Sequence, residues 1–482
     1  MKIAFINAVI GADFSTLDVS VTLLASIINK NTRHKAYIFD TTFHPKDWKT
    51  YLDKKIKTIK PDILAFSCNT LYMNYIKKIA SYLKKKYNIP ILGGGYHATV
   101  YPKSTIKEPY IDAILIGDGD EKLPTILDYV EKNHSFPKDI KGFWVKEGNK
   151  ITENGKGDFY NDVSNFPHLD WTLWEDIDKY LYFLQMIYFV GNRGCPFTCP
   201  FCEACEISQF VDGKYFREIN PERYAQEIVY QWKIFKKRGM KLAQLFDPIP
   251  TINLEWVKRF CNEYKSLVDP KTHPFSMFSR FDSLTEEKIK RLSQAGCVNL
   301  RCGIESGDYF IRKNIHQKNI TNEKIFEVSK LLKKYKINLT AYFILGAPGE
   351  SKKSTKLTEK MAQKIDASRT AFFLYKPITK RSMELLIEQK GTLDKKRYNK
   401  SDNLQYTSVI ALKDLSCAQI QRIQYKLYLK YLIRKVTRLI KHDGIMYFIN
   451  LAIYVFRGLR DGLKLKYLLP YYHIYAYDHY KL

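Results

Sequence analysis

Three cysteines in one short loop constrain this chain more than any other feature. Cys195, Cys199 and Cys202 stand at Cys-x3-Cys-x2-Cys spacing, entered from an apolar, strand-like run at 184–190. Thiolates are the ligands of iron–sulfur clusters, and a [4Fe–4S] cube has four irons to hold. Three local cysteines leave one iron open to a small molecule, an arrangement suited to chemistry more than to electron storage. Zinc prefers paired knuckles separated by a longer loop, and no second knuckle follows. Cys205 adds a nearby sulfur, so a crowded all-cysteine zinc site is the alternative. A disulfide framework does not fit nine cysteines, an odd number, with no secretory signal visible at Met1-Lys2-Ile3.

The triad, with Phe201 just before its last cysteine, resembles the signature of the radical SAM enzymes. The resemblance implies that Cys195, Cys199 and Cys202 hold a [4Fe–4S] cluster. It implies that S-adenosylmethionine (SAM) occupies the open iron through its amino and carboxylate groups. One-electron reduction would then yield a 5′-deoxyadenosyl radical. Cys205 lies outside the pattern and receives no role.

Residues 1–140 alternate short apolar strands (3–7, 36–39, 63–67, 89–92, 113–116) with helix-like runs (17–29, 48–59, 72–87, 123–130). Such alternation predicts a doubly wound, Rossmann-like parallel sheet with helices on both faces. Ligands of such sheets bind at the carboxyl ends of the strands. Those ends are rich in small and polar residues: Asn7 to Ala12, Ser67 to Thr70, Gly93 to Thr99 and Gly117 to Asp120. No Gly-x-Gly-x-x-Gly follows the first strand, which argues against a nicotinamide site. The stretches Gly93-Gly94-Gly95-Tyr96-His97-Ala98-Thr99 and Gly117-Asp118-Gly119-Asp120-Glu121, with Pro61 to Ser67, resemble the cobalamin-binding domain of one radical SAM subfamily. That resemblance implies a corrin contacted by Ser67, Gly94, Gly95, His97, Gly117 and Gly119. The Asp-x-His-x-x-Gly motif that ligates cobalt elsewhere is absent, and Gly11 to Ser15 contain no histidine. His97 is then either a replacement ligand or, as the plainer reading, a hydrogen-bonded loop histidine beside the corrin. A first domain that is scaffold only is the alternative.

A hairpin at 138–151 and an irregular stretch at 158–184 form the expected linker, 141–183. Over 184–376, strand-like runs (184–190, 242–246, 274–279, 298–303, 339–345, 371–375) alternate with five helix-like runs. Six strands predict a partial (β/α)6 TIM-type barrel with its site at the strands' carboxyl ends. Asp247, Arg280, Glu305 and the stretch Gly346-Ala347-Pro348-Gly349-Glu350 end successive strands and resemble the family's SAM stations. Arg280 would pair with the SAM carboxylate, since a guanidinium fork matches it. Glu305 would accept from ribose hydroxyls or the amine, and Gly346 and Gly349 would admit the adenine. Asp247 and Glu350 serve equally well as helix N-caps. The stretch Ile311 to Lys318 also resembles the cobalamin-dependent subfamily.

Residues 377–482 are expected to be mainly helical after a polar, loop-rich stretch at 376–407. The run 415–442 has an apolar face decorated with lysine and arginine, and is expected to pack on its own barrel more than on an anionic membrane. The net charge is +28, from 78 Lys+Arg against 50 Asp+Glu. The lysines are scattered over helices, so nucleic acid is not an expected partner. No apolar run reaches the ~18 residues of a spanning helix, and reduced thiols with an oxygen-sensitive cluster point to the cytoplasm.

The resemblance implies a cobalamin-dependent radical SAM methyltransferase. It would act on an unactivated carbon of a small-molecule or natural-product substrate and draw electrons from a reductant such as flavodoxin or ferredoxin. The alternatives are a cobalamin-dependent rearrangement or ring formation, as in tetrapyrrole cyclases, and a nonenzymatic Fe–S or zinc protein that binds RNA.

Overall fold

The computed structural model describes residues 1–11, 17–400, 407–463, 465, 468, 469 and 472. The chain divides into two compact units. The first gathers Met1–Tyr182, Glu206–Arg217 and Val455–Leu468, and the second holds Phe183–Cys205 and Glu218–Tyr454. Ala12 to Ser15, part of the first strand's carboxyl end, lie outside the described residues, as do residues 401–406 of the C-terminal stretch.

The first unit is built on strands β1 (Lys2–Asn7), β2 (Lys35–Asp40), β3 (Ile63–Ser67), β4 (Ile91–Gly94) and β5 (Ala113–Leu115). They run parallel in the order β2-β1-β3-β4-β5, the doubly wound arrangement. Their apolar runs are continuous because helices cover both faces. Those helices are α1 (Val19–Asn31), α2 (Trp48–Ile59), α3 (Met73–Tyr87), α4 (Gly95–Val100), α5 (Pro102–Lys107) and α6 (Lys122–Asn133). Local chemistry fixes their ends. The Asp18 side chain accepts from the Ser20 and Val21 amides to start α1. Asn88, at φ +50°, stops α3.

The stretch read as a linker is not a free tether. β6 (Phe143–Glu147) and β7 (Lys150–Thr152) extend the sheet antiparallel from β5, turning at Gly148. Beyond β8 (Gly157–Asp158), Trp171 and Trp174 are fully buried, and the Trp174 indole donates to Thr22 in α1 at 2.8 Å. Large aromatics anchor a segment that has little regular structure of its own. A helix, α7 (Ile177–Leu184), closes it.

The second unit carries a six-stranded parallel sheet. It begins with β9 (Met186–Phe189), after which α8 (Ala204–Phe210) and β10 (Val211–Asp212) intervene. The short β10 belongs to the first unit, where it pairs with β8. Then follow α9 (Pro221–Phe235), β11 (Leu242–Leu245), α10 (Leu254–Leu267), β12 (Phe275–Ser279), α11 (Glu286–Gln294), β13 (Cys297–Glu305), α12 (Asn322–Lys334), β14 (Asn338–Leu345), α13 (Lys352–Ile365) and β15 (Arg369–Leu374). The strands lie in sequence order, β9-β11-β12-β13-β14-β15, an open half-barrel of six β/α units. Asn220, Asn253, Thr285, Thr321 and Ser351 cap the five crossover helices through their side chains.

The region expected to be loop-rich after the barrel is partly regular. It holds α14 (Lys380–Glu388), the short strand β16 (Thr392–Leu393) paired with β17 (Ile410–Ala411), and α15 (Lys395–Lys400). A Thr379–Ser382 capping box starts α14, a signal hidden in a polar stretch. The chain then runs into α16 (Cys417–Asp443) and α17 (Ile445–Arg460).

Candidate active site

The cysteine loop leaves β9 at the carboxyl edge of the half-barrel, and three braces hold it. The Gly191 and Asn192 amides donate to Asp247, which follows β11, at 2.9 and 2.5 Å. The Tyr224 hydroxyl of α9 donates to the same carboxylate. Asn192 in turn accepts from the Ile219 amide at 2.9 Å, and Thr379, the cap of α14, donates to the Pro200 carbonyl. Burial pushes the Asp247 carboxyl up to about 6 against these hydrogen bonds. Asp247 therefore caps no helix, since α10 is capped by Asn253. It fixes the approach to Cys195 instead.

Within the loop, the Cys202 amide donates to the Cys199 carbonyl at 3.0 Å, and the Cys205 thiol donates to the Cys202 carbonyl at 3.0 Å. All nine cysteines are free thiols. Burial raises the Cys195 thiol and pushes the Cys202 thiol up to about 12. Metal binding must therefore supply the driving force for deprotonation.

Two buried cations face this loop. Arg280, after β12, lays its guanidinium over the Phe197 ring at 3.6 Å and points Nη1 at the Cys199 sulfur, 3.6 Å away. Its other edge is held by Asp282 through bonds of 3.0 and 2.8 Å. The fork expected to grip a SAM carboxylate is thus already occupied, and the free edge serves the cysteines. Lys318 is paired with Glu305 at 2.5 Å, both nearly buried. Burial works against its charge, but the Glu305 carboxylate and then Cys199 outweigh that and hold its pKa above the ordinary value. A register shift in β13 between Gly303 and Glu305, with Glu305 at φ +67°, turns this carboxylate toward Lys318. A Cβ on Gly303 would lie 2.0 Å from Glu305 Oε1 and 2.8 Å from Lys318 Nζ, so a side chain there would displace the pair.

Gly346 and Gly349 end β14 with φ of +79° and +75°. A Cβ on Gly346 would meet Ile420 of α16, and one on Gly349 would meet Gln389. Both glycines are therefore required by turn geometry and by close packing of the chain on itself. Glu350 caps no helix, the cap of α13 being Ser351. It accepts from the Gly346 amide at 2.5 Å, and burial pushes its carboxyl up to about 8. The folded value lies above the unfolded one, so the native state binds the extra proton and loses stability as pH rises through about 8. Glu350→Gln keeps the acceptor without the charge. Chemical denaturation should show wild type losing stability relative to the variant between about pH 5 and pH 8, at about 1.4 kcal/mol per unit, and the difference levelling off above about pH 8. Parallel profiles would refute the assignment.

In the first unit, Ser67 and Gly94 end adjacent strands in register. The His97 and Cys68 amides bind the Cys68 and Gly94 carbonyls, at 3.0 and 2.7 Å, to shape the turn into α4. Gly95 holds φ +84°, a conformation strained for any side chain, and a Cβ there would lie 3.2–3.3 Å from Cys68 and the Ser67 hydroxyl. A Cβ on Gly94 would meet nothing within 4 Å, so that surface is open. His97 Nδ1 bonds Thr70 at 3.1 Å, and burial lowers the ring to about 4, leaving neutral imidazole at pH 7. Gly117 and Gly119 face the protein's own side chains, Val211 in one case and Leu115 with Leu24 in the other. Asp118 between them pairs with Arg217 at 2.5 Å.

Residues 189–362 match the radical SAM superfamily, and residues 4–127 match the B12 binding domain. The chain belongs to the radical SAM enzymes that carry a B12-binding domain. The enzyme is 27% identical over 404 residues to an uncharacterized methyltransferase of Pyrococcus horikoshii, covering 81% of this chain and 83% of that protein. It is 27% identical over 363 residues to the anaerobic magnesium-protoporphyrin IX monomethyl ester cyclase of Cereibacter sphaeroides, covering 72% of this chain and 57% of the cyclase. Its fold matches the radical SAM methyltransferase TsrM of Kitasatospora setae, solved with cobalamin and a [4Fe–4S] cluster, at a TM-score of 0.65 and 16% identity. That match covers 88% of this chain and 84% of TsrM.

The cofactors of such an enzyme are a [4Fe–4S] cluster, SAM and cobalamin. Its residues fit them. Three reduced thiols share one loop beside two cations that offset the charge of a thiolate-ligated cluster. After β9, β13 and β14, respectively, Asn192 Nδ2, both ring nitrogens of His316 and Glu350 Oε1 are buried with no hydrogen-bond partner among the described residues. Buried orphans in the segments that follow three of the strands suit a mouth that completes its bonding with a polar ligand. In the first unit, the open face of Gly94 beside a neutral histidine suits a flat ligand. Sequence reasoning did not find His316 or the Lys318 partner of Glu305. Both lie in the Ile311 to Lys318 stretch, where a π-helical turn (Ile311–Ile315) breaks the regular spacing.

Proposed function

We propose that this enzyme is a cobalamin-dependent methyltransferase acting on an unactivated carbon of a small-molecule substrate. The observation that carries the reading is the match to the uncharacterized methyltransferase of Pyrococcus horikoshii over four fifths of both chains, together with three free thiols in one loop. Cys195, Cys199 and Cys202 would hold the cluster, and Ser67, Gly94, Gly95 and His97 would border the corrin. Gly117 and Gly119 would act indirectly, by shaping their turn. When bound, the cluster would supply the electron that cleaves one SAM to methionine and a 5′-deoxyadenosyl radical, and the cobalamin would supply a methyl group taken from a second SAM.

The chain's own groups position and insulate this chemistry. Arg280 and Lys318 favour thiolates at the loop, and Asp247 and Thr379 keep the loop rigid. Asn192, His316 and Glu350 offer buried polar atoms to the SAM head group, while Glu305 presents its carboxylate on Lys318. Gly346 and Gly349 would hold the turn that borders the adenine. A low-potential flavodoxin or ferredoxin would deliver the electron.

The test is anaerobic incubation of cobalamin- and iron-reconstituted enzyme with SAM and a reductant. Both 5′-deoxyadenosine and S-adenosylhomocysteine are expected. Deoxyadenosine without S-adenosylhomocysteine would favour the ring-forming chemistry named for the Cereibacter relative.

A further inference from the structure

The C-terminal helix α17 inverts the usual rule for a surface helix. Its inward side is fixed by Tyr447 and Tyr454, both buried, and the Tyr454 hydroxyl donates to the Phe183 carbonyl at 3.2 Å. Its outward side carries Ile445, Met446, Phe448, Ile449, Ile453, Phe456 and Leu459, each between 43% and 72% exposed. At about 100° per residue these positions form one contiguous arc of roughly 160°. A water-facing helix ordinarily places polar residues there. An apolar stripe of this extent marks an interaction surface.

The charges around the stripe choose its partner. Ile445–Arg460 contains no acidic residue; of the two arginines in its last turn, Arg457 stacks on the Tyr182 ring at 3.7 Å and Arg460 is the exposed one. Lys441 and His442 end α16 just before it. Asp443 and Asp461, which flank the helix, are each bonded to a neighbouring side chain, the His442 ring at 2.6 Å and the Arg460 guanidinium at 3.3 Å. The whole chain carries +28. α16 is a different kind of helix. It packs on the barrel through Leu427, Leu439 and the Tyr431 ring against Phe372, and spends Lys430 on Glu359 and Arg434 and Arg438 on Asp366. Its own exposed apolar residues, Tyr425, Leu429 and Ile433, form a narrower i, i+4, i+8 row. Among the described residues no single helix is long and apolar enough to cross a membrane, and α16 and α17 meet at a 117° bend.

We infer that α17 lies in the surface of an anionic lipid bilayer, its apolar arc inserted and its terminal cations at the headgroups. Such a helix binds by buried apolar area plus attraction to anionic lipid, without spanning. Docking would hold the enzyme at a bilayer, where an apolar substrate would be concentrated. The inference stands apart from the cofactor assignments.

The test is cosedimentation of the full chain with vesicles of phosphatidylcholine and phosphatidylglycerol at 3:1, and with phosphatidylcholine alone. Binding should be at least about tenfold stronger to the mixed vesicles and weaken in high salt. The double variant I453E/F456E should lose at least about tenfold in binding while keeping its far-ultraviolet circular dichroism and size-exclusion profile. I387E, which alters a distant exposed isoleucine on α14, should bind as wild type. F456W should gain fluorescence that lipid-borne bromine quenches. Failure of wild type to sediment with either vesicle would overturn the inference. So would equal loss in I387E, or a wild-type dimer that I453E/F456E dissolves.

Discussion

Cys199→Ala is expected to leave a folded chain that no longer retains iron. Cys199 is nearly buried in the loop and receives the Arg280 contact. After anaerobic reconstitution, iron should fall from about four per chain to a small fraction of that, with reductive SAM cleavage at background. Folding should be spared, because Asp247, Tyr224 and Thr379 grip the backbone around the thiol and not the thiol itself. Cys205→Ala is the informative control. That thiol donates to the Cys202 carbonyl in the first turn of α8, so its loss should leave iron unchanged. Loss of metal in both variants would indicate a four-cysteine zinc site and defeat the cluster assignment.

The second large effect concerns the buried pair of Glu305 and Lys318. Lys318→Met strands a carboxylate inside the barrel mouth, and breaking such a pair from one side costs about 3–5 kcal/mol. Glu305 also holds a left-handed backbone conformation at φ +67°, a strain the pair helps to sustain. The double variant Glu305→Gln/Lys318→Met removes both charges and should recover most of the loss. A double-mutant cycle read by denaturation therefore predicts strong non-additivity. SAM affinity separates the two roles of the site. Glu305→Gln should weaken SAM binding while the double variant, though more stable than Lys318→Met, stays weak. Additive stability losses would show that the two residues do not act as a pair.

The two sheets and the cysteine loop were legible in the sequence because periodicity and local spacing carry them. Apolar runs of four to seven residues between amphipathic stretches predicted every strand of both parallel sheets. The loop's ligand set is contiguous, so its spacing was visible without the fold. What the sequence hid depends on contacts across distance or on side chains with several uses. Arg280 read as a carboxylate fork, but Asp282 two residues later takes one edge of it. Asp247 and Glu350 read equally as SAM stations or as helix caps, and Asn253 and Ser351, a few residues downstream, took the cap positions. Gly117 and Gly119 read as ligand-facing because glycine signals close approach, but the chain approaches itself there. The segment at 158–184 lacks any period, and two tryptophans bury it all the same. For α17, the hydrophobic run was plain, but which side faced outward was not.

The most direct test of the account is the metal content of wild-type enzyme purified anaerobically with hydroxocobalamin and then reconstituted with iron and sulfide. The account predicts about four irons, four sulfides and one cobalt per chain, with cluster and corrin absorbance present together. Iron without cobalt would reduce the first unit to scaffold and remove the methyl carrier. Zinc in place of iron would contradict the account at its root.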